Sequence, residues 1–240
     1  MEPPVSHAME DYAKAIYSLE QRGGGEAVTT TALAERLEVT PASASAMLKR
    51  LAEQGLVSHE PYRGVLLTAR GVRVALEVLR HHRLLERYLA QELGVPWDRV
   101  HAEAEVLEHV LSEELEELIA AKLGHPSVDP HGDPIPSADL RISEPDTVRL
   151  EQLGDGQSGR FVRVSDSDPE MLRYLEQQGI GLGDRLTVLE RQPFEGPLLV
   201  RFEHEREPRV IGGRLAGAMR VDVDVADVAG DTPRRGPRGR

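Results

Sequence analysis

Two histidines and two glutamates near the middle of the chain are spaced as the ligands of a metal ion would be. They belong to the segment VHAEAEVLEHVLSEELEELIAAKL, whose apolar spacing predicts one helix over residues 100–123. At about 100° per residue, four side chains fall within an arc of roughly 100°: His101, Glu105, Glu108 and His109. Imidazole nitrogens and carboxylate oxygens are common ligands of divalent metals. The spacing therefore indicates a metal site.

Two other predicted helices carry donors of the same kind. The helix over residues 71–92 places His82 and Glu86 four positions apart, so both side chains share a face. The first helix of the chain offers Glu10 and Asp11. A glutamate-rich helix is also typical of a plain solvated face, and at this point both interpretations stand.

The composition limits what such a site can contain. The 240 residues include no cysteine, which excludes disulfides and thiolate ligands, so an ion must be held by His, Asp, Glu or carbonyl oxygen. No apolar run approaches the length of about 18 residues that a membrane span needs, and the N-terminus lacks the basic and apolar regions of a secretory signal. We expect a cytoplasmic protein without a membrane partner.

Charge is unevenly distributed along the chain. The net charge is −12, which by itself disfavours contact with phosphates. Over residues 43–73, however, five basic residues stand against only two acidic ones, whereas acidic residues are concentrated in the helix over residues 100–123. A basic module followed by an acidic module is compatible with nucleic-acid binding by the first.

The order of predicted elements in the basic module is that of a winged helix-turn-helix. Two short helices are followed by the turn VTP, where Thr40 is the expected N-cap and Pro41 the first helical residue. A third helix ends at Gly55. Two β-prone runs then join around a turn that contains Pro61 and Gly64, and these runs predict the wing.

The third helix begins with small and hydroxylated residues, which allow a helix to approach base edges closely. Lys49 and Arg50 lie where phosphates would be, and Arg63 is in the wing. The alternative is a three-helix core with an alanine-rich solvent face. The residues expected to contact DNA are Thr40, Ala42, Ser43, Ser45, Ala46, Lys49, Arg50 and Arg63.

The rest of the chain changes from helical to strand patterning. Five prolines in residues 124–147 predict a linker, and short strands interrupted by the helix DPEMLRYLEQQG predict a small β-barrel beyond it. The fold expected is mainly α with a C-terminal β domain. The predicted domains are residues 1–72 (winged helix), 73–146 (helical domain with the proline-rich linker), 147–230 (β domain) and 231–240 (disordered basic tail).

Six segments, taken in order, closely resemble the diphtheria-toxin-repressor family, including its manganese transport regulator branch. The segments are EDYAKAIYSLE, LAERLEVTPASASAMLKRLAEQGLV, LLTARG, HHRLLERYL, VHAEAEVLEHVLSEELEE and HGDPIP. The resemblance implies a winged-helix domain, a helical dimerisation and metal-binding domain, and an SH3-like C-terminal domain. It also implies a homodimeric repressor of metal-uptake genes, not an enzyme, that binds double-stranded DNA at a pseudo-palindromic operator when a divalent metal is bound.

The resemblance carries two sets of metal ligands onto this chain by position. The regulatory set is Asp11, Glu105, Glu108 and His109. The ancillary set is His82, Glu86 and His101, completed from the C-terminal domain by Asp168 or its neighbour Glu170.

The identity of two ligands bears on the choice of metal. Iron-responsive members of the family place Met and Cys at the positions of Asp11 and Glu105. Hard oxygen ligands at both positions favour Mn²⁺, with Fe²⁺ as the alternative and Zn²⁺, Co²⁺ or Cd²⁺ as substitutes in vitro. Short manganese regulators carry a Glu where this chain has Lys14, so a close pair of metal ions is not expected here.

Three other functions stay open at this stage. An iron-responsive regulator of the same family would use the same domains. A metallohydrolase would need an open coordination position and a substrate pocket, and it would leave the winged helix without a role. A regulator that responds to a small organic ligand would leave the His/Glu face merely solvated. Neither of the last two accounts for both halves of the chain, and we expect no small organic substrate.

Overall fold

The structure of the chain, a computed structural model, describes residues 5–60, 63–194 and 196–224. The chain divides into two compact units. The first comprises the residues up to Val95 together with Val100–Asp129 and Pro134–Ser143, and the second comprises Pro96–Arg99, Pro130–Asp133 and the residues from Glu144 onward. The predicted basic tail and Pro61 of the predicted wing turn lie outside the described residues.

Five elements at the start of the first unit build the predicted winged helix. They are α1 (His7–Arg22), α2 (Thr30–Arg36), α3 (Pro41–Glu53), β1 (Val57–Glu60) and β2 (Gly64–Leu67). The Thr40 hydroxyl accepts the Ser43 backbone N–H at 3.1 Å and so caps α3, as expected. Apolar side chains of all five elements form one core around Ile16, Leu33 and Leu51.

The two wing strands are antiparallel and are anchored to the helices at two points. Val65 exchanges both backbone hydrogen bonds with Val28, at 2.8 and 3.0 Å. This close approach requires glycine at position 64. Gly64 has a φ of +128°, and a Cβ atom there would lie only 2.0 Å from the Val28 carbonyl oxygen. The buried carboxylate of Glu20 on α1 accepts the Leu67 N–H at 2.7 Å. The wing is therefore held firmly against α1.

One long helix connects the wing with the rest of the first unit. Helix α4 (Ala69–Leu93) has 25 residues, starts at the capping hydroxyl of Thr68 and ends at Gly94, whose φ of 67° is left-handed. It packs against α1 through the buried residues Ala13 and Tyr17 of α1 and Ala75 and Leu76 of α4. The predicted helix over residues 71–92 is thus present and slightly longer than expected.

The prediction of a single helix over residues 100–123 is wrong. The chain forms α5 (Val100–Leu107) and α6 (Glu113–Lys122), separated by a turn. The Ser112 hydroxyl accepts the Leu115 N–H at 3.3 Å and begins α6 as its N-cap. Glu108 still donates its N–H to Ala104 at 2.9 Å, but His109 lies in the turn. Helical spacing therefore places Glu108 correctly, and it does not apply to His109.

The second unit is built on a six-stranded antiparallel sheet within its described residues, with strand order β3-β8-β4-β5-β6-β7. The strands are β3 (Val148–Arg149), β4 (Ser158–Val164), β5 (Arg185–Arg191), β6 (Leu198–Phe202), β7 (Arg209–Ile211) and β8 (Met219–Val223). Phe161, Leu186 and Phe202 are at the centre of its core. The predicted helix is present as α7 (Pro169–Gln177), and a second helix, α8 (Gly213–Ala218), was not predicted.

The proline-rich segment contains several buried residues, although it was predicted to be a linker. In the first unit the Asp129 carboxylate lies 3.9 Å from the Arg83 guanidinium. In the second, the fully buried His131 contacts the Trp97 carbonyl through Nε2 at 2.7 Å. The predicted domain boundaries stay predictions. Among the described residues, no helix is both long enough and apolar enough to span a membrane.

Candidate metal centre and nucleic-acid face

Three of the four predicted regulatory ligands meet where α1 approaches the turn after α5. One ligand atom each of Asp11, Glu108 and His109 lies within 4.8 Å of the other two. The His109 Nε2 atom is 2.8 Å from Asp11 Oδ1 and 3.4 Å from Glu108 Oε1. Asp11 is on the first helix of the winged helix, so this group joins the winged helix to the helices that follow it.

The three ancillary residues of the first unit form a second group beside the first. His82 Nε2 lies 3.0 Å from both Glu86 Oε1 and His101 Nδ1. His82 Nδ1 lies 2.5 Å from Glu108 Oε2, which links the two groups. His82 is 4% exposed, and Glu86 and Glu108 are each 1% exposed. A solvated helix face therefore does not describe these residues.

A lysine lies between two of the predicted ligands. The Lys14 Nζ atom is 2.9 Å from Glu105 Oε1 and 2.5 Å from Glu108 Oε1. Burial alone would lower the pKa of Lys14, but the charges of Glu108 and Glu105 outweigh it and raise that pKa above its usual value. Burial would likewise raise the pKa of Glu105, and Lys14 instead holds it below the usual range.

The donor set fits a divalent ion. Imidazole and carboxylate groups converge in a largely buried place, and a protein cation already bridges two of the carboxylates. Such a pocket stabilises positive charge. Ligand atoms of Glu105, His82 and Glu108 also lie within 4.8 Å of one another. Glu105, the fourth predicted regulatory ligand, therefore lies between the two predicted sites.

Two of the predicted ancillary residues belong to the second unit, where they begin α7. Asp168 is the N-cap of that helix and accepts the N–H groups of Glu170 and Met171 at 3.1 and 3.3 Å. Its other oxygen accepts a hydrogen bond from Arg214 at 2.6 Å. The role of Asp168 and Glu170 in metal binding stays a prediction.

Sequence reasoning missed a buried network behind the turn. His81 Nδ1 contacts the Glu108 carbonyl oxygen at 3.0 Å, and His81 Nε2 lies 2.9 Å from Glu116 Oε2. Arg80 Nε donates to Glu116 Oε1 at 2.5 Å. Burial would lower the pKa of His81, but these partners raise it overall. The network attaches the turn to α4 and α6. In the sequence, the adjacent pair His81-His82 was the one feature that could have indicated it.

The residues predicted to contact DNA are exposed on α3, at its N-cap and in the wing. Ala44, Leu48 and Leu51 face the core, and Arg63 is exposed between β1 and β2. Thr40 has a structural role as well, because its hydroxyl lies 2.9 Å from that of Ser43. All predicted contacts on the helix are exposed: Ala42, Ser43, Ser45, Ala46, Lys49 and Arg50.

Comparison with known proteins agrees with this arrangement. The chain matches the N-terminal DNA-binding domain of iron-dependent repressors over residues 5–65, their metal-binding and dimerisation domain over residues 68–137, and the FeoA domain over residues 148–223. The iron-dependent repressor IdeR of Mycobacterium leprae is 33% identical over 228 residues, which cover 89% of this chain and 96% of IdeR. The diphtheria toxin repressor of Corynebacterium diphtheriae is 36% identical over 68% of each chain. The chain belongs to the diphtheria-toxin-repressor family.

Solved structures of family members are also similar over most of their length. A manganese-dependent transcriptional repressor in complex with manganese has 45% identity and a TM-score of 0.83, covering 90% of this chain and 99% of that one. The repressor ScaR, solved with bound Cd²⁺, has 28% identity and a TM-score of 0.75, covering 89% of this chain and 98% of its own.

Family membership confirms the predicted fold class and the coarse function. The chain is a metal-dependent DNA-binding repressor with a winged helix-turn-helix, a helical dimerisation and metal-binding domain, and an SH3-like FeoA domain. Its relatives are transcriptional repressors and not enzymes, so the metallohydrolase alternative is wrong. Relatives named for iron and for manganese both occur, and the choice of metal belongs to the proposal below.

Proposed function

We propose that this repressor responds to Mn²⁺ in the cytoplasm and controls genes of manganese or iron uptake. The observation that carries the proposal is the hard carboxylate of Asp11 beside His109 Nε2. Mn²⁺ favours oxygen ligands, and Asp11 supplies one from the DNA-binding domain. The 45% identity to a manganese-dependent repressor supports the same choice.

The residues that would hold the ion are those predicted from the sequence. The regulatory site takes Asp11, Glu105, Glu108 and His109, and the ancillary site takes His82, Glu86, His101 and a carboxylate of Asp168 or Glu170. Bound there, Mn²⁺ supplies positive charge that carboxylates of both domains share.

Helix α1 is the element that connects the ligands with the DNA-contacting surface. Its apolar face packs in one core with α3, through Ile16 on α1 and Leu48 and Leu51 on α3. Its polar edge presents Asp11 to the turn that carries His109. Because α1 shares a core with α3, the recognition helix, holding Asp11 in place also holds α3 in place. Metal then favours DNA binding, and DNA tightens metal binding by the same factor.

An exposed apolar surface supports the homodimer. It lies on α5, the following turn and α6, where Val106, Val110 and Leu118 are 73%, 71% and 61% exposed. Large apolar side chains exposed together on neighbouring elements are typical of an interaction site. Two copies joined through it would present two recognition helices, and a spacing of about 34 Å would match successive major grooves of a pseudo-palindromic operator.

The choice of metal is tested by DNA retention at saturating levels of each ion. We expect Mn²⁺ to activate the protein more fully than Zn²⁺, even where Zn²⁺ binds more tightly, because Zn²⁺ prefers four ligands and can leave Asp11 unengaged. Asp11→Met should shift the preference toward Fe²⁺ or Co²⁺ by introducing a softer ligand. The measurement is a gel-shift titration on the upstream regions of uptake genes, with a chelator as the metal-free reference.

The control for Asp11→Met is Glu103→Met, which changes an exposed acid of α5 in the same way. This control should keep the metal preference of the parent. Equal activation by Zn²⁺ and Mn²⁺ in the parent, unchanged by Asp11→Met, would show that Asp11 does not discriminate between metals. Full activation of the parent by Fe²⁺ and weak activation by Mn²⁺ would favour the iron-responsive alternative.

The predicted DNA contacts are tested by the salt dependence of binding. Arg63→Ala in the wing and Lys49→Ala on α3 should each weaken binding to every sequence and lower the salt slope by about one unit, because each removes one phosphate contact. Substitution of Ser43 or Ser45 should alter sequence preference instead. Lys122→Ala, which removes an exposed lysine of α6, is the matched control. A salt slope unchanged by Arg63→Ala would exclude the wing from the DNA backbone.

A further inference from the structure

The imidazole of His109 is contacted on three sides by the first turns of α1. Its Nε2 atom lies 2.8 Å from Asp11 Oδ1, and its Nδ1 atom lies 2.7 Å from Glu10 Oε2. The ring of His7 stacks on it, with centroids 4.9 Å apart and planes 10° from parallel. Asp11 is assigned to the regulatory site, whereas Glu10 and His7 have no assigned role.

The two nitrogens of His109 face different surroundings. Nε2 faces the predicted ligands, with Glu108 Oε1 a further 3.4 Å contact, whereas Nδ1 faces the carboxylate of Glu10. A neutral imidazole has one nitrogen with a lone pair and one with a proton. If Nε2 offers its lone pair to the metal, the proton belongs on Nδ1, and Glu10 is positioned to accept it in a hydrogen bond.

We propose that Glu10 is a positioning residue of the regulatory site. It does not bind the metal, and it acts by holding His109 in the tautomer that leaves Nε2 free to ligate, with the His7 ring restricting rotation of the imidazole. A carboxylate hydrogen-bonded to a ligating histidine also makes that ligand more basic. The inference rests on the proposed role of His109 as a ligand.

The position of Glu10 in the chain gives this contact a consequence for regulation. Glu10 and Asp11 are adjacent on α1, and they contact opposite nitrogens of one ring. The DNA-binding domain therefore senses the metal through two contacts. Asp11 would bind the ion itself, and Glu10 would hold the histidine that binds it.

The affinity of the full-length protein for Mn²⁺ tests the proposal. Loss of a hydrogen-bonding partner behind a metal ligand costs about 10- to 100-fold in metal affinity. We expect a loss in this range for Glu10→Ala and a smaller one for Glu10→Gln, whose amide oxygen still accepts from Nδ1. Glu103→Ala removes an exposed acid of α5 and should bind Mn²⁺ as the parent does. Equilibrium dialysis gives all four affinities, and thermal unfolding of the metal-free proteins confirms that each variant is folded.

The tautomer supplies a second measurement that a merely structural role of Glu10 would not move. In Cd²⁺-loaded protein with ¹⁵N-labelled histidine, the His109 ring should show a proton on Nδ1 and the metal on Nε2, and Glu10→Ala should weaken this preference. A metal bound to Nδ1, or an affinity of Glu10→Ala equal to that of the parent, would overturn the proposal. A parent that binds no Mn²⁺ would instead overturn the proposed function itself.

Discussion

His109→Ala is expected to abolish Mn²⁺-dependent DNA binding at ion concentrations that saturate the parent. His109 supplies the imidazole that faces both Asp11 and Glu108, so its loss removes the donor between the two domains. Since loss of a partner behind a ligand already costs about 10- to 100-fold in metal affinity, loss of the ligand itself should cost at least about 100-fold. A gel-shift titration with Mn²⁺ measures the effect.

The matched control for this variant is His125→Asn, which changes an exposed histidine of the same unit. His125 has a φ of 53°, a conformation that Asn tolerates. The control should respond to Mn²⁺ as the parent does. Glu108→Ala should abolish activation too, but it removes the buried carboxylate that contacts both Lys14 and His82 and should also unfold more readily. Metal-stimulated retardation that survives in both site variants would remove His109 and Glu108 from the site.

Lys14→Ala is expected to destabilise the metal-free protein by about 3 kcal/mol. It removes the lysine that bridges Glu105 and the buried Glu108, and breaking a buried ion pair costs about 3–5 kcal/mol. Mn²⁺ should recover more stability in this variant than in the parent, because it then replaces a missing charge. Urea denaturation with and without Mn²⁺ gives both values.

The control for the stability effect is Lys122→Ala, whose partner Glu92 lies 3.2 Å away across an exposed pair. A surface pair of this kind contributes about 0–1 kcal/mol.

Lys14 should also keep bound Mn²⁺ ions magnetically isolated in the parent protein. Lys14→Glu replaces the ammonium group with a carboxylate donor and should permit exchange coupling in the EPR spectrum. Coupled spins in the parent would mean that other ligands complete a two-metal cluster despite Lys14.

Features that depend on neighbouring residues were predictable from the sequence. The cap at Thr40 and the end of the recognition helix at Gly55 follow from local backbone preferences, and both are present. The alternation of strands in the second unit predicted its β class for the same reason. These signals extend over a few residues only, so they carry no information about how distant segments meet.

The contacts within the metal centre were not predictable in this way. Glu10 and His109 are 99 residues apart in the sequence, and Lys14 and Glu108 are 94 apart. Helical spacing could group His101, Glu105 and Glu108, but the turn that Ser112 creates by capping α6 removes His109 from that helix. The family resemblance supplied His109 and Asp11 as partners, and it gave no role to Glu10 because Glu10 stands behind a ligand.

The unbroken length of α4 restricts how the sequence of this family member can change. The helix leads from Thr68, beside the wing, to His82 and Glu86 in the metal centre, a rise of about 21 Å to His82. One inserted residue would turn both side chains by about 100° relative to the wing, and seven would nearly restore the angle but add about 10 Å. Neither change keeps the turn that carries Glu108 and His109 beside Lys14 and Asp11 on α1. The spacing from wing to metal centre should therefore tolerate substitution without tolerating insertion or deletion, whereas surface turns of the second unit can vary in length.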